Sequence, residues 1–376
     1  MKVSRLAVRD LRNMETVSLR PSARVNIICG PNGQGKTNLL EALWLLTGQR
    51  SFRTSRDSDL VRFGCGKARV EAAVFAGGRR QEISLVLDPR RSAALNGVPL
   101  DSPGRLAGEF MAVVFSPEHL SMIKAGPVER RRFLDSAIGQ VMPRYTKHLG
   151  ELDRVLRQRS AVLGDLYRHP QLEDLLDVWD EHLARLGWLL MKARRRYVQR
   201  LEPKVREIYE GISHGAEELA VSYRSTVPVP EGAGDEEGLD CFRRAIRGAR
   251  GEDIRMGSSS IGPHRDDLEI TLGGLSARSF GSQGQQRSCA LALKLAECRL
   301  IGEITGEEPI VLLDDVLSEL DQGRRDYVLS GLGKQQIFIT CCDLEDFSRF
   351  RRAKVFGMEA GRLTLLKKPS AAGPGW

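Results

Sequence analysis

The segment GPNGQGKT, Gly30 to Thr37, has a glycine, lysine and threonine spacing that can bind a chain of phosphates. Backbone N–H groups around such glycines can surround phosphate oxygens, and the start of the following helix adds partial positive charge. RVNIIC before the segment is typical of a buried strand and TNLLEALWLLTG after it of a helix, which is the context the motif requires. The pattern predicts a nucleoside triphosphate site in which Lys36 faces the β- and γ-phosphates and Thr37 binds Mg²⁺. The candidate nucleotide-binding residues of this segment are Gly30, Pro31, Asn32, Gly33, Gln34, Gly35, Lys36, Thr37 and Asn38.

Two adjacent acids supply the second element of a triphosphatase. In PIVLLDDVLSELD, residues 309–321, an apolar run typical of a central parallel strand ends at Asp314 and Asp315. Asp314 is placed to hold Mg²⁺, mainly through water, and Asp315 to orient or deprotonate the attacking water. Alone, the pattern is weak, because a strand that ends in a solvated turn looks the same. The phosphate loop and the SELD directly behind the acids favour ATP hydrolysis.

The segment FGSQGQQRS, residues 280–288, resembles a second anion-binding turn before a helix. Ser282 stands at a helix N-cap position, and Gly284 allows an anion to approach closely. Local features leave open whether Ser282 only caps the helix. The order of phosphate loop, S-x-G-Q, strand with two acids and S-x-L-D resembles ABC-type ATPases. In that family the S-x-G-Q signature loop closes on ATP held by a second molecule, which implies an ATP-dependent homodimer and assigns Ser282, Gly284 and Gln285 to the partner's nucleotide.

Longer segments resemble the RecF family of bacterial recombination mediators. They include KVSRLAVRDLRNMETVSL, SFRTSRDSDLVRFG, VVFSPEHLSMIKAGPVERRRFLD, GPHRDDL and FGSQGQQRSCALALKLAE, and they extend from residue 1 to about residue 345. The resemblance implies an α/β fold: an ABC-type ATPase head related to SMC and Rad50, with a β-rich N-terminal lobe, an inserted helical domain and no long coiled coil. It also implies ATP-dependent binding to double-stranded and gapped DNA, and a weak DNA-stimulated ATPase that acts as a switch. RecO and RecR would be its partners in loading RecA during repair, replication restart and the SOS response.

Several positions depart from the ABC pattern. Ser116 and Glu118 stand where ABC enzymes carry a glutamine that reaches Mg²⁺, and Cys341, Cys342 and Asp343 replace a switch histidine. Asp315 stands where most relatives have glutamate. Together these departures favour slow hydrolysis.

Two further features are noted because of the resemblance alone. Arg53 and Arg56 follow the phosphate-loop helix, where related heads direct an arginine to the phosphates, although an ordinary surface pair explains them equally well. The block His264-Arg265-Asp266 matches the family without a role that we can derive from the sequence.

Composition limits the class of protein. The chain has 376 residues, a net charge of +8, 28% charged residues and seven cysteines without a CxxC pair, as expected of a cytoplasmic protein with reduced thiols. No signal peptide or membrane span is apparent. Basic residues are dense from Arg185 to Arg206 and at Arg130 to Arg132. These clusters could contact DNA phosphates, although a solvated helix face gives the same pattern.

The pattern of strands and helices divides the chain into three parts. Residues 1–116 form the first part of the ATPase head, 117–250 a helical insert, and 251–376 the second part of the head with the signature and acid motifs. No heptad pattern is sustained in the insert, and Pro143, Pro170 and Pro203 are expected to interrupt it. The tail from Lys367 is expected to be frayed. Two alternatives remain: a chromosome-organising SMC-like head, disfavoured by the missing coiled coil, and a transporter's nucleotide-binding subunit, disfavoured by the missing glutamine and histidine.

Overall fold

The computed structural model describes residues 1–367 except 55, 121, 167 and 344–352. The predicted frayed tail lies, from residue 368 onwards, outside the described residues. Within the described ranges no helix is long and apolar enough to cross a membrane.

The N-terminal lobe is built on an antiparallel sheet in the order β2-β1-β4-β5-β6-β7. Its apolar residues alternate with exposed ones, so that one face packs on the core. A turn at Asn96-Gly97 joins the last two strands, with positive φ at both residues. The strands are β1 (Lys2–Leu11), β2 (Met14–Leu19), β4 (Ala68–Ala76), β5 (Arg79–Leu87), β6 (Ser92–Leu95) and β7 (Val98–Leu100).

A second sheet, in the order β15-β14-β3-β13-β12-β8, forms the centre of the head. Neighbouring strands are parallel except for β14 and β15, and both faces are covered, which explains the continuous apolar runs. The carboxyl ends of β3, β12 and β13 meet at one edge, where the phosphate loop and the acid pair follow their strands. The strands are β3 (Val25–Cys29), β8 (Ala112–Phe115), β12 (Ile310–Asp314), β13 (Ile337–Cys341), β14 (Lys354–Glu359) and β15 (Arg362–Lys367).

Helices cover the central sheet and build the insert. The helix after the phosphate loop packs between the two large sheets, and the signature helix covers the opposite face of the central sheet, where it also meets the insert. The helices are α1 (Lys36–Leu45), α2 (Pro117–Leu120), α3 (Pro127–Val141), α4 (Pro143–Asp165), α5 (Glu173–Ser213), α6 (Asp235–Met256), α7 (Ala277–Phe280), α8 (Gln283–Thr305) and α9 (Gln322–Gly331). A small antiparallel sheet consists of β9 (Leu219–Arg224), β10 (Asp267–Leu272) and β11 (Leu275–Ser276).

The structure corrects one expectation about the insert. Pro143 begins α4 and Pro170 begins a 3₁₀ turn, as expected, but α5 continues through Pro203. Pro203 and Gln199 lie on the exposed side, where water can hydrate the Gln199 carbonyl that loses its helical donor, while the opposite side of α5 packs on α4, α6 and α8. Helix α6 also extends past residue 250. The division of the chain into three parts remains a prediction.

Candidate nucleotide site

The phosphate loop connects β3 to α1 and requires glycine for two separate reasons. Gly30, Gly33 and Gly35 have φ values of 156°, 79° and 111°, in the region that disfavours other residues. A Cβ atom on Gly30 would lie 2.2 Å from the carbonyl oxygen of Met358, and one on Gly35 would lie 2.6 Å from Oδ1 of Asn13. Gly33 has no atom within 4 Å of its Cβ position, so only its backbone conformation requires glycine.

Two turns that are remote in the sequence hold this loop. Asn13 Nδ2 and the N–H of Gly361 donate to the carbonyl oxygen of Gln34 over 3.0 and 2.9 Å. The N–H of Ala360 donates to Gln34 Oε1 over 2.7 Å, and Asn38 Nδ2 donates to Asn13 Oδ1 over 2.8 Å. Sequence reasoning missed Asn13 and Gly361, because no local pattern links the turns β1-β2 and β14-β15 to the loop.

Lys36 is positioned inside the curve of the loop. Its Nζ donates to the carbonyl oxygens of Gly30 and Pro31 over 2.6 and 3.1 Å and lies 3.4 Å from Asn32 Oδ1, and the residue is 5% exposed. These acceptors are neutral, so the ammonium charge is not compensated by them. The cradle of N–H groups and this cation fit a bound phosphate chain.

Hydroxyl and carboxylate oxygens of the kind that Mg²⁺ prefers lie directly below the loop. Thr37 Oγ1 donates to Asp314 Oδ1 over 2.9 Å, and Thr340 Oγ1 donates to the same atom over 2.8 Å. Burial raises the pKa of Asp314, the hydroxyls of Thr340 and Thr37 lower it, and the charges of Asp315 and Glu118 raise it further. Mg²⁺ at nucleotide sites takes one or two protein oxygens together with phosphate and water oxygens, which the pair of Thr37 and Asp314 fits.

Ser116 and Glu118 stand where ABC enzymes carry the glutamine that reaches Mg²⁺, and their surroundings differ. Ser116 is fully buried, and its Oγ contacts His119 Nδ1 at 2.9 Å. Glu118 is exposed, and its charge lies close enough to Asp314 to raise the pKa of that carboxyl. Of the two replacements, Glu118 is therefore the one near the acid pair.

Asp315 follows its strand in an unusual conformation. Its φ is 56°, which aspartate adopts more readily than most residues, and its N–H donates to Thr340 Oγ1 over 2.9 Å. The exposed Cys342, at the expected switch position, has its Sγ 3.9 Å from Asp315 Oδ2 and 3.4 Å from Lys36 Nζ. Asp315 and Cys342 therefore meet at the mouth of the phosphate loop.

The signature loop presents a helix N-terminus. The N–H of Gln285 donates to Ser282 Oγ over 3.3 Å and the N–H of Ser282 to Gln285 Oε1 over 2.7 Å, forming a capping box at the start of α8. Ser282 is exposed, and Gln285 Nε2 donates to both carboxylate oxygens of Glu217. The loop is thus supported by the insert side of the molecule, whereas the phosphate loop is supported by the turns at Asn13 and Gly361.

The two arginines after α1 differ. Arg53 Nη1 donates to Asn38 Oδ1 over 2.8 Å and lies 3.7 Å from the buried Glu41, so Arg53 borders the end of the phosphate loop. Arg56 makes backbone hydrogen bonds: its N–H donates to Thr54 Oγ1, and its carbonyl oxygen accepts from the N–H of Asp59. Nucleotide contact by either arginine remains a prediction.

The basic clusters contain two buried arginines, and most of their other cations bind acids or backbone carbonyls. Contact of these clusters with DNA remains a prediction. Arg194 is 1% exposed, and Arg130 is 6% exposed and bound to Asp267 by two hydrogen bonds. Arg195 donates to the carbonyl oxygens of residues 229 and 230. Acidic residues pair with most of the others: Lys192 with Asp235, Arg200 and Lys204 with Glu303, Arg206 with Glu202 and Glu218, and Arg132 with Glu129.

The block His264-Arg265-Asp266 connects segments that are distant in the sequence. Asp266 is 1% exposed and accepts hydrogen bonds from the backbone and hydroxyl of Thr226 over 2.7 and 2.9 Å and from the Tyr223 hydroxyl. Its own carbonyl accepts from Arg131, and Arg265 Nε donates to Ser259 O over 3.2 Å. The structure thereby gives the block a structural role.

Comparison with known proteins identifies the family. The RecF/RecN/SMC N-terminal domain model matches residues 2–362. The DNA replication and repair protein RecF of Heliobacterium modesticaldum is 40% identical over 370 residues, covering 97% of this chain and 99% of that protein. This chain belongs to the RecF family. The RecF of Acetivibrio thermocellus is 38% identical, covering 96% and 99% of the two chains.

Solved structures agree with this family. The recombination mediator protein RecF of the RecFOR pathway, solved as RecF-ATPrS and as RecF-ATP, superposes with TM-scores of 0.91 and 0.90 at 34% identity, covering 97% of this chain and 98% of that one. An Smc head from Pyrococcus furiosus superposes with a TM-score of 0.53 at 17% identity, covering 97% of this chain and 96% of that one. This similarity is one of fold. The α/β ATPase-head fold predicted from the sequence is confirmed.

Proposed function

We propose that this RecF-family protein binds ATP with Mg²⁺ in the loop from Gly30 to Thr37 and hydrolyses it. The observation that carries the proposal is the 2.9 Å contact between Thr37 and Asp314 directly below a glycine cradle that contains Lys36. When bound, Mg²⁺ would neutralise charge on the transferred phosphate. Lys36 would hold the β- and γ-phosphates, and Asp315 would orient the attacking water.

ATP would also join two copies of the chain. The exposed helix N-terminus at Ser282 offers partial positive charge and the N–H groups of Gln283 and Gly284, which have no hydrogen-bond partner within the described residues; both suit the γ-phosphate held by a partner. Gly284 leaves room for that approach. The phosphate loop and the signature loop rest on different supports within one chain, which favours a contact in trans.

DNA would bind the outer face of the N-terminal sheet. Residues opposite each other in antiparallel strands share a face, and Arg5 and Arg9 on β1 lie opposite Ala73 and Arg69. Lys2 and Arg80 both lie opposite Phe75, so they belong to the same face. These five cations, Lys2, Arg5, Arg9, Arg69 and Arg80, outnumber the two acids of that face, Glu71 and Glu82. Exposed cations on the face of a sheet can contact the phosphates of duplex and gapped DNA, and such contacts do not depend on the base sequence.

The cellular role follows from the family. The protein would act in the cytoplasm with RecO and RecR to load RecA at gapped DNA, in repair, replication restart and the SOS response. Its weak ATPase, stimulated by DNA, would serve as a switch. The RecFOR pathway of the solved relatives supports this assignment.

Mixing two inactive variants tests the shared site. Lys36→Ala removes the cation of the phosphate loop, and Ser282→Arg places a long side chain where the partner's γ-phosphate would lie. Each variant alone should neither dimerise on ATP nor hydrolyse it, while Ser282→Arg still binds ATP as a monomer. Mixed subunits contain one complete site, so partial hydrolysis should return. Loss of ATP binding by monomeric Ser282→Arg would show that the loop serves its own nucleotide.

The DNA face has a separate test. Replacing Arg5 and Arg9 by alanine should make the slope of log affinity against log salt shallower by about two, because about one counterion is released per phosphate contact. Arg299→Ala, an exposed arginine on the far part of α8 paired with Glu207, is the control. An unchanged slope in the double variant would exclude this face.

A further inference from the structure

Arg324 connects the signature loop to the SELD segment, residues 318–321. Its backbone N–H donates to Asp321 Oδ1 over 3.0 Å, and its Nη1 donates to Asp321 Oδ2 over 2.7 Å, at the end of the SELD segment. Its Nε donates to Ser288 Oγ over 3.0 Å, on the first turns of α8. Ser288 Oγ in turn donates to the carbonyl oxygen of Gly284 over 3.0 Å.

The guanidinium lies against the signature glycine. A Cβ atom on Gly284 would lie 3.4 Å from Nη2 of Arg324 and 3.8 Å from Nη1. Within the described residues Nη2 has no hydrogen-bond partner, although Nε and Nη1 both have one. The side chain of Arg324 is 34% exposed. The structure therefore keeps the donors of Nη2 beside the glycine where an anion would approach.

The charge at this surface favours a cation beside the signature glycine. Glu319, Asp321 and Glu217 all lie around the signature loop, so without a cation the surface would repel a triphosphate. The helix N-terminus contributes only about half a positive charge. Arg287 is paired with Glu319 at 3.3 Å, which leaves Arg324 as the guanidinium nearest Gly284 in the contacts of the described residues.

We propose that Arg324 is a phosphate-binding residue that acts in trans, donating from Nη2 to the triphosphate held by the phosphate loop of a second copy of this chain. This assignment rests on the proposed ATP-dependent dimer and adds to it a residue outside the signature and acid motifs. Arginine suits the role because its rigid fork can keep Asp321 and Ser288 bound while it donates to a phosphate.

The test compares variants of one position. Arg324→Gln removes the charge and retains a polar side chain, whereas Arg324→Lys retains the charge. Arg324→Gln should bind ATP in its own site as the parent does but need at least about 100-fold more protein to dimerise on ATP, because a symmetric dimer loses two hydrogen bonds to charged groups, each worth a factor of about 10 to 150. Arg324→Lys should recover part of this loss. Arg299→Ala should dimerise as the parent does.

Three results would overturn the proposal. Equal ATP-driven dimerisation of Arg324→Gln and the parent would remove Arg324 from the site while leaving the nucleotide-joined dimer intact. Equal loss in Arg324→Gln and Arg324→Lys, with lower thermal stability of both nucleotide-free monomers, would show that Arg324 only clamps α9 to α8. Failure of the parent itself to dimerise on ATP would contradict the proposed function as well.

Discussion

Replacing Arg194 by alanine is expected to lower the free energy of unfolding by about 3 kcal/mol. The guanidinium is 1% exposed and lies at the junction of α3, α4, α5 and the segment before β10. It donates to Asp135 Oδ1 over 2.7 Å, to the Tyr145 hydroxyl over 2.8 Å and to the carbonyl oxygen of Pro263 over 2.6 Å. Alanine would leave the Pro263 carbonyl and the Asp135 carboxylate without these donors.

The magnitude follows from the burial of the partners. Removing one member of a fully buried ion pair costs about 3–5 kcal/mol, because the other charge remains unpaired. The Asp135 side chain is 26% exposed, so water can hydrate part of its charge, and we expect the lower end of this range. A chain of 376 residues that unfolds as one unit has an unfolding entropy of about 0.8 kcal/mol per kelvin, so the melting temperature should fall by about 4 °C.

Thermal unfolding followed by circular dichroism measures the effect, with Arg196→Ala as the control. Arg196 is two positions along the same helix and exposed, so its removal should change the stability by at most about 0.5 kcal/mol. DNA affinity measured at several salt concentrations, well below the melting temperature, should give the same slope for Arg194→Ala as for the parent. A parent-like melting temperature together with a slope shallower by about one would show that Arg194 contacts a phosphate and refute its role in the core.

Three other changes test the site and the fold. Asp315→Asn keeps the size of the side chain and a residue type that tolerates the positive φ, but it removes the charge. ATP should therefore still bind, and the dimer should persist without hydrolysis. A parent-like hydrolysis rate would exclude Asp315 from the reaction. N-ethylmaleimide should alkylate the exposed Cys342, and ATP should slow this labelling because Cys342 Sγ lies 3.4 Å from Lys36 Nζ. Peptide mass spectrometry measures the labelled fraction. Equal labelling with and without ATP would mean that the nucleotide binds elsewhere. Pro203→Ala should stabilise the protein by about 1–3 kcal/mol by restoring a helical hydrogen bond in α5. A lower melting temperature would contradict this expectation.

Short-range chemistry made the nucleotide motifs predictable. The phosphate loop from Gly30 to Thr37 depends on glycine conformations and on a helix start within a few residues, so the sequence alone contains the geometry. The capping box of Ser282 and Gln285 likewise joins residues three positions apart. The strand that ends at Asp314 is recognisable because its apolar run is continuous.

Long-range packing decided the rest. Whether an arginine of α5 faces water or the core depends on Asp135 and Pro263, which are far from Arg194 in the sequence, and residue type alone cannot distinguish the two cases. Pro203 could remain inside a helix because neighbouring elements pack on the opposite side of α5. The supports of the two loops, Asn13 for the phosphate loop and Arg324 for the signature loop, also come from distant segments. Local patterns determine which groups a segment offers, whereas burial and charge pairing depend on the neighbours that only the folded chain brings together.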